Sequence, residues 1–143
     1  MAIDLPPRWD VSDVFPELGS RAYAAARESL SAEVTRLAGL YDEHDVRGGP
    51  TREVDGVVIE AFESVLDATN AVLDQVRLLY AYVSSYVATD TRHDLAQGEL
   101  SGLQAELAAL AKLRGRLDAW VASLGDAEPV SYTHLTLPTK RIV

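Results

Sequence analysis

The chain holds three histidines, His44, His93 and His134, and no cysteine. A metal site needs several such ligands at fixed spacing on a rigid element. None of the three histidines opens a His-Glu-x-x-His motif. His93 has Asp90 three residues before it and Asp94 after it, but this is a single imidazole in a turn and reads as a surface histidine. His44 follows Asp42 and Glu43 at a helix end, where an imidazolium suits the helix dipole. Nucleophilic catalysis by serine needs a histidine base and an orienting acid. Ser84 and Ser85 fall mid-helix with no glycine elbow. Gly48-Gly49 is followed by Pro50, which blocks a helix-opening phosphate nest. The carboxylate pair Asp42–Glu43 reads as a solvated helix face, and Lys112, Arg114 and Arg116 as a small solvated basic knot. Tyr80, Tyr82 and Tyr86 cluster; Tyr82 and Tyr86 share a face distinct from the main apolar stripe. That face suits a peptide or a neighbouring helix, and packing against a helix is the preferred reading. No catalytic, cofactor-binding or metal residue is assigned to any position.

The elements that would have to position such groups are helices. The chain has 143 residues, 48% hydrophobic and 24% charged, which fits one globular domain. Its formal charge of −9 argues against nucleic acid, which needs a basic face, and against anionic lipid. No apolar run approaches the roughly 20 residues of a spanning helix. Met1 to Asp13 has no secretory pattern. Absence of cysteine excludes disulfides and fits a reducing compartment. The expectation is a cytoplasmic protein that binds neither nucleic acid nor membrane.

Residues 1–19 form an extended amino-terminal arm, since Pro6, Pro7 and Pro16 restrict their own φ and the residue before them. Trp9 and Phe15 are its expected anchors. Helix one is predicted from Ser20, a capping residue, to His44. Tyr23, Ala26, Leu30, Val34, Leu37 and Tyr41 make its apolar stripe, with Arg27, Glu28, Glu33 and Arg36 off it. Asp45 to Pro50 breaks the helix. Helix two runs from Val54 to Thr89 on Val58, Phe62, Val65, Thr69, Val72, Val76, Leu79, Val83 and Val87. It would span roughly 50 Å and overhang its neighbours. Helix three is capped by Thr91 or Asp94 and runs to Leu124 on a stripe of Leu100, Leu103, Leu107, Leu110, Leu113, Leu117, Trp120 and Leu124, with Gly125 as its stop. Gly98, Gly102 and Gly115 each cost about 1 kcal/mol against alanine. Gly98 and Gly102, four apart, are candidates for close helix approach. The fold class is all-α: three long amphipathic helices in an up-down arrangement, with residues 20–128 forming a helical lobe.

The last 14 residues break the pattern. All 22 carboxylates precede Pro129, and the alanine- and arginine-rich style stops there. Val130 to Val143 resembles the translated sequencing-adapter tail found at the ends of unrelated gene fragments. Residues 129–143 are therefore read as a non-native tail, with a short natural strand through Tyr132, Leu135 and Leu137 as the alternative.

Arg8-Trp9-Asp10-Val11-Ser12-Asp13-Val14-Phe15-Pro16 carries a more specific signal. It resembles the opening of the M3-family oligoendopeptidases, of the oligoendopeptidase F type, with Val11 and Val14 in place of leucine. The following order of helix, Gly/Pro break, long helix to Leu79-Tyr80-Ala81-Tyr82, Thr89-Asp90-Thr91 and a Leu/Ala helix agrees in style over about residues 5–128. The resemblance implies a cytoplasmic zinc metallopeptidase that cleaves short peptides in an enclosed helical chamber. Its zinc would be held by His-Glu-x-x-His and a downstream glutamate, none of which this chain contains. The chain then is the amino-terminal lobe alone, inactive by itself, with the remainder of the parent chain as its partner. A free-standing helical protein–protein interaction module is the alternative.

Overall fold

A computed structural model describes residues 10–125. Arg8, Trp9, Pro129 and the tail, and the expectations placed on them, lie outside that range. The described part of the arm, residues 10–19, is not extended as expected but runs through turns, with the Val14 amide on the Val11 carbonyl and the Ser20 amide on that of Glu17. The described residues form three helices: α1 (Arg21–Glu43), α2 (Gly56–Thr89) and α3 (Asp94–Ser123). The fold is all-α, as the periodicity requires. A single isolated bridge, parallel, joins Arg52 to Leu124.

Each helix begins on a side-chain cap. Ser20 accepts from the Tyr23 amide and Asp55 from the Val58 amide. These acceptors satisfy amides that have no partner within the helix. The cap of α3 is neither Thr91 nor Asp94: His93 Nδ1 accepts from the Ala96 amide at 3.2 Å. An imidazole with a bare nitrogen does here what an aspartate does elsewhere.

The end of α1 is a Schellman turn. The Val46 amide reaches the Tyr41 carbonyl at 2.8 Å, and the Asp45 amide reaches that of Asp42 at 3.1 Å. Asp45 takes φ 51°, the single positive φ among the described residues. Such a turn usually places glycine there. Gly48 instead permits a close approach. A Cβ on it would lie 3.1 Å from Ala119 Cβ, so the loop lies close on α3. Gly125 is no left-handed stop either. Leu124 ends α3 in extended backbone, and a Cβ on Gly125 would come 3.3 Å from the Arg52 carbonyl.

Cross-helix contacts fix the up-down order. Tyr23, early in α1, meets Tyr82, late in α2. Phe62, early in α2, stacks on Trp120, late in α3. Arg27 reaches Glu99, and Arg116 reaches Asp42, so α1 and α3 run parallel. With 23 residues, α1 is about 35 Å long, against about 51 Å for the 34 residues of α2. Tyr41, near the end of α1, bonds Thr69, only midway along α2. The first third of α2 therefore extends past α1, as its length predicts. The α1–α2 loop fills part of that space: Val46 is fully buried, and Arg52 exchanges backbone hydrogen bonds with Ser123 and Gly125.

The core runs the length of the bundle through Leu30, Tyr41, Val65, Val76, Val83 and Leu103. Ala61 and Tyr82 are also buried, so the inner face of α2 is wider than its valine stripe. Leu107, placed on the inner stripe of α3 by its spacing, is 37% exposed.

Candidate functional site

Two polar clusters and two surface hollows are the candidates. The first cluster joins α1 to α3. Arg27 was expected off the apolar stripe, but its side chain is only 19% exposed. Residues 27, 34 and 41 recur at sevens, and the last two are buried core positions. Arg27 Nε lies 3.3 Å from Glu99 Oε2, and Nη1 lies 4.0 Å from Glu106 Oε1. The Tyr23 hydroxyl donates to the same Glu99 oxygen at 2.9 Å. Burial, then the Glu99 carboxylate, pushes the Tyr23 hydroxyl well above its ordinary range. Gly102 makes room for this group, since a Cβ there would lie 3.1 Å from Arg27 Nη2. Gly98 faces open space, so only one of the two glycines serves close approach.

The second cluster is aromatic and lies at the α2–α3 turn. Phe15 packs edge-on against Tyr23 and Tyr82, with ring centroids 5.6 and 5.0 Å apart. Tyr86 adds to the stack and meets the His93 ring at 5.9 Å. Tyr82 donates to the Phe15 carbonyl at 3.4 Å and shares a hydrogen bond with Tyr86. Burial, then Tyr86, raises the Tyr82 hydroxyl above its usual value. Tyr82 is thus buried and Tyr86 half-buried against it, while Tyr80 stays 38% exposed.

Beside this cluster lies a pocket of about 190 Å³, lined by Asp10, Ser12, Ser85, Tyr86 and Thr89 among others. Its hydroxyls have partners. Ser85 donates to the Tyr82 carbonyl, Thr89 to the Ser85 carbonyl, and Ser12 to Asp10. A serine bonded to the preceding turn of its own helix, with no histidine base in contact, is not an activated nucleophile. A wider hollow of about 490 Å³ lies between α1 and α2, with Leu37, Leu40, Ala68 and Val72 as its floor. Glu33, Arg36 and Glu43 rim it.

The remaining candidates are dispersed. His44 ends α1, and His93 caps α3. No group of three or more potential metal ligands exists among the described residues. Arg116 is not solvated as expected: its Nε donates to the Val46 carbonyl at 2.9 Å, its Nη1 pairs with Asp42 at 2.8 Å, and its guanidinium lies over the Tyr41 ring. Arg114 meets expectation, pairing with Asp118 on an exposed face. Asp45 holds both Arg47 and Arg52, and the Arg52 hydrogen bond first of all keeps its carboxyl below the usual range. Sequence reasoning missed Arg27, Arg116 and His93. The sevenfold spacing of 27, 34 and 41 was a usable signal for the first. Nothing local marks the other two, whose partners lie 70 residues away or in a backbone amide.

No family model, curated protein or solved structure matches the chain. Among the described residues, no helix is long and apolar enough to cross a membrane.

Proposed function

We propose that this chain is the amino-terminal helical lobe of a cytoplasmic M3-type zinc oligoendopeptidase. The observation that carries the reading is the stretch Arg8 to Pro16. At the described end of that stretch, Phe15 enters the aromatic cluster and its carbonyl accepts from Tyr82, which ties residue 15 to the bundle. The residues present do not fit a zinc site: the sequence has no His-Glu-x-x-His, and His44 and His93 stand at the ends of different helices, with a ring nitrogen of His93 taken by the α3 cap. No catalytic step is therefore derived on this chain. Its role is that of a wall of the substrate chamber, with short peptides as the parent's substrate and the rest of the parent chain as partner.

Long-read sequencing of the source locus across the codons for Ala127 to Ser131 tests this. A frame that continues into a His-Glu-x-x-His codon run is expected. A stop codon directly after Val143 would sink the proposal. The purified 143-residue chain should neither hydrolyse peptides nor take up stoichiometric zinc. A second reading, a free-standing helical interaction module, draws on the core that three helices already close around Leu30, Val65 and Leu103. It calls for a defined oligomer of this chain by light scattering.

A further inference from the structure

The three helices meet in three outer grooves, and one of them is apolar on both walls. Core positions of α2 recur at 62, 69, 76, 83 and at 65, 72, 79, 86. Flanking them, seven residues apart and hence on one line of the helix, stand Ile59, Leu66, Leu73 and Tyr80. Ile59, Leu66 and Tyr80 are 49, 36 and 38% exposed, and Leu73 is half-buried. The matching line on α3 carries Leu100, Leu107, Arg114 and Val121, with Leu107 and Val121 37 and 44% exposed. The Phe62–Trp120 stack sets α2 antiparallel to α3. Ala68 of α2 and Glu99, Gly102 and Arg116 of α3 lie on the flanks that face α1, so these two lines, on the opposite flanks, meet across the α2–α3 pair. Such flanking lines usually carry charged residues in helical bundles. Here all but Arg114 are apolar, over three heptads. The α1–α2 groove, by contrast, is rimmed by Glu33, Arg36 and Glu43.

We infer that this α2–α3 groove seats the helix that follows residue 129 in the intact parent chain, laid antiparallel to α3. The inference rests on the reading of the chain as an amino-terminal lobe. Chain direction selects the occupant. The Arg52–Leu124 bridge pins the end of α3, and Gly125, the last described residue, lies at the end of the bundle where Val121 stands and α2 begins. Consecutive helices joined by short connections lie side by side and reverse direction. A helix turning back from Gly125 has an apolar groove about 30 Å long beside it, three heptads at 1.5 Å per residue. Its chemistry follows: an amphipathic helix with apolar residues at three- and four-residue spacing.

The chain lacks cysteine, so single-cysteine variants report burial directly. Leu66→Cys and Leu107→Cys are compared with Ser31→Cys, on an exposed face of α1, for labelling by a small maleimide. In the 143-residue chain all three variants should label at similar rates. In the parent protein expressed from the continued frame, the two groove variants should label about tenfold more slowly or less, while Ser31→Cys keeps its rate. Parent protein in which Leu107→Cys labels as fast as Ser31→Cys overturns the inference and leaves the lobe assignment standing. A stop codon after Val143 overturns the assignment itself, and the inference with it. Two results in the 143-residue chain also overturn it. One is slow labelling relieved by cutting the chain after Glu128, which makes residues 129–143 the occupant. The other is slow labelling that tracks a concentration-dependent dimer in light scattering, which makes a second copy the occupant. Circular dichroism of each variant checks that the helices persist.

Discussion

At the residue scale, the charge cluster around Arg27 shows how one side chain can commit two helices to each other. Arg27 stands between two glutamates that would otherwise be half-buried without a counter-charge. Removing one member of such a group costs more than the group contributes, because the others stay behind desolvated. Arg27→Leu should therefore cost about 1–3 kcal/mol in denaturant unfolding. Adding Glu99→Leu and Glu106→Leu to it should recover most of that loss, and full additivity of the three changes would refute the coupling. Asp45 poses a separate question, since its left-handed backbone disfavours side chains branched at Cβ. Asp45→Val is expected to lower the unfolding midpoint, through strain and through the lost pairing with Arg47 and Arg52. Asp45→Gly should lower it less, because glycine removes the strain and loses only the ion pairs.

At the element scale, capping is the most exposed dependence. The α3 cap uses His93 Nδ1, a nitrogen that accepts only when it carries no proton. His93→Ala should destabilise by about 1 kcal/mol, the usual worth of an N-cap, and His93→Asp should restore most of it. Equal thermal midpoints for wild type and His93→Ala would show the cap to be idle. The loop after α1 depends on contact in the same way. Gly48→Val should loosen the loop from Ala119 and unseat Val46, with faster hydrogen exchange at the Arg52 and Gly125 amides as its signature.

At the scale of the whole molecule, two buried tyrosines link stability to alkaline pH. Tyr23 and Tyr82 both have hydroxyls whose loss of a proton is resisted in the fold. A group with a raised value holds its proton longer in the native state than in the unfolded one. The stability it contributes is complete below the ordinary tyrosine value of 10.0 and is lost as pH rises beyond it. Unfolding by hydroxide should thus set in above about pH 10, and Tyr82→Phe should flatten that dependence. A stability curve unchanged by Tyr82→Phe between about pH 9 and 12 would contradict it.

Helix number, order and approximate length were legible in the sequence because apolar spacing at threes and fours reports a buried face directly. Ser20 and the limits of α2 could be read for the same reason: caps and periodicity are local. The arm motif at Arg8 to Pro16 was also legible, and it alone suggests a function. Tertiary structure decided the rest, through contacts between residues far apart in the chain. It drew Arg27 into the α1–α3 interface opposite Gly102, and folded Arg116 over Tyr41. It recruited His93 as a cap, and pinned Arg52 to Leu124. It also left one groove apolar on both sides, a property of two helices set side by side that neither helix's own pattern contains.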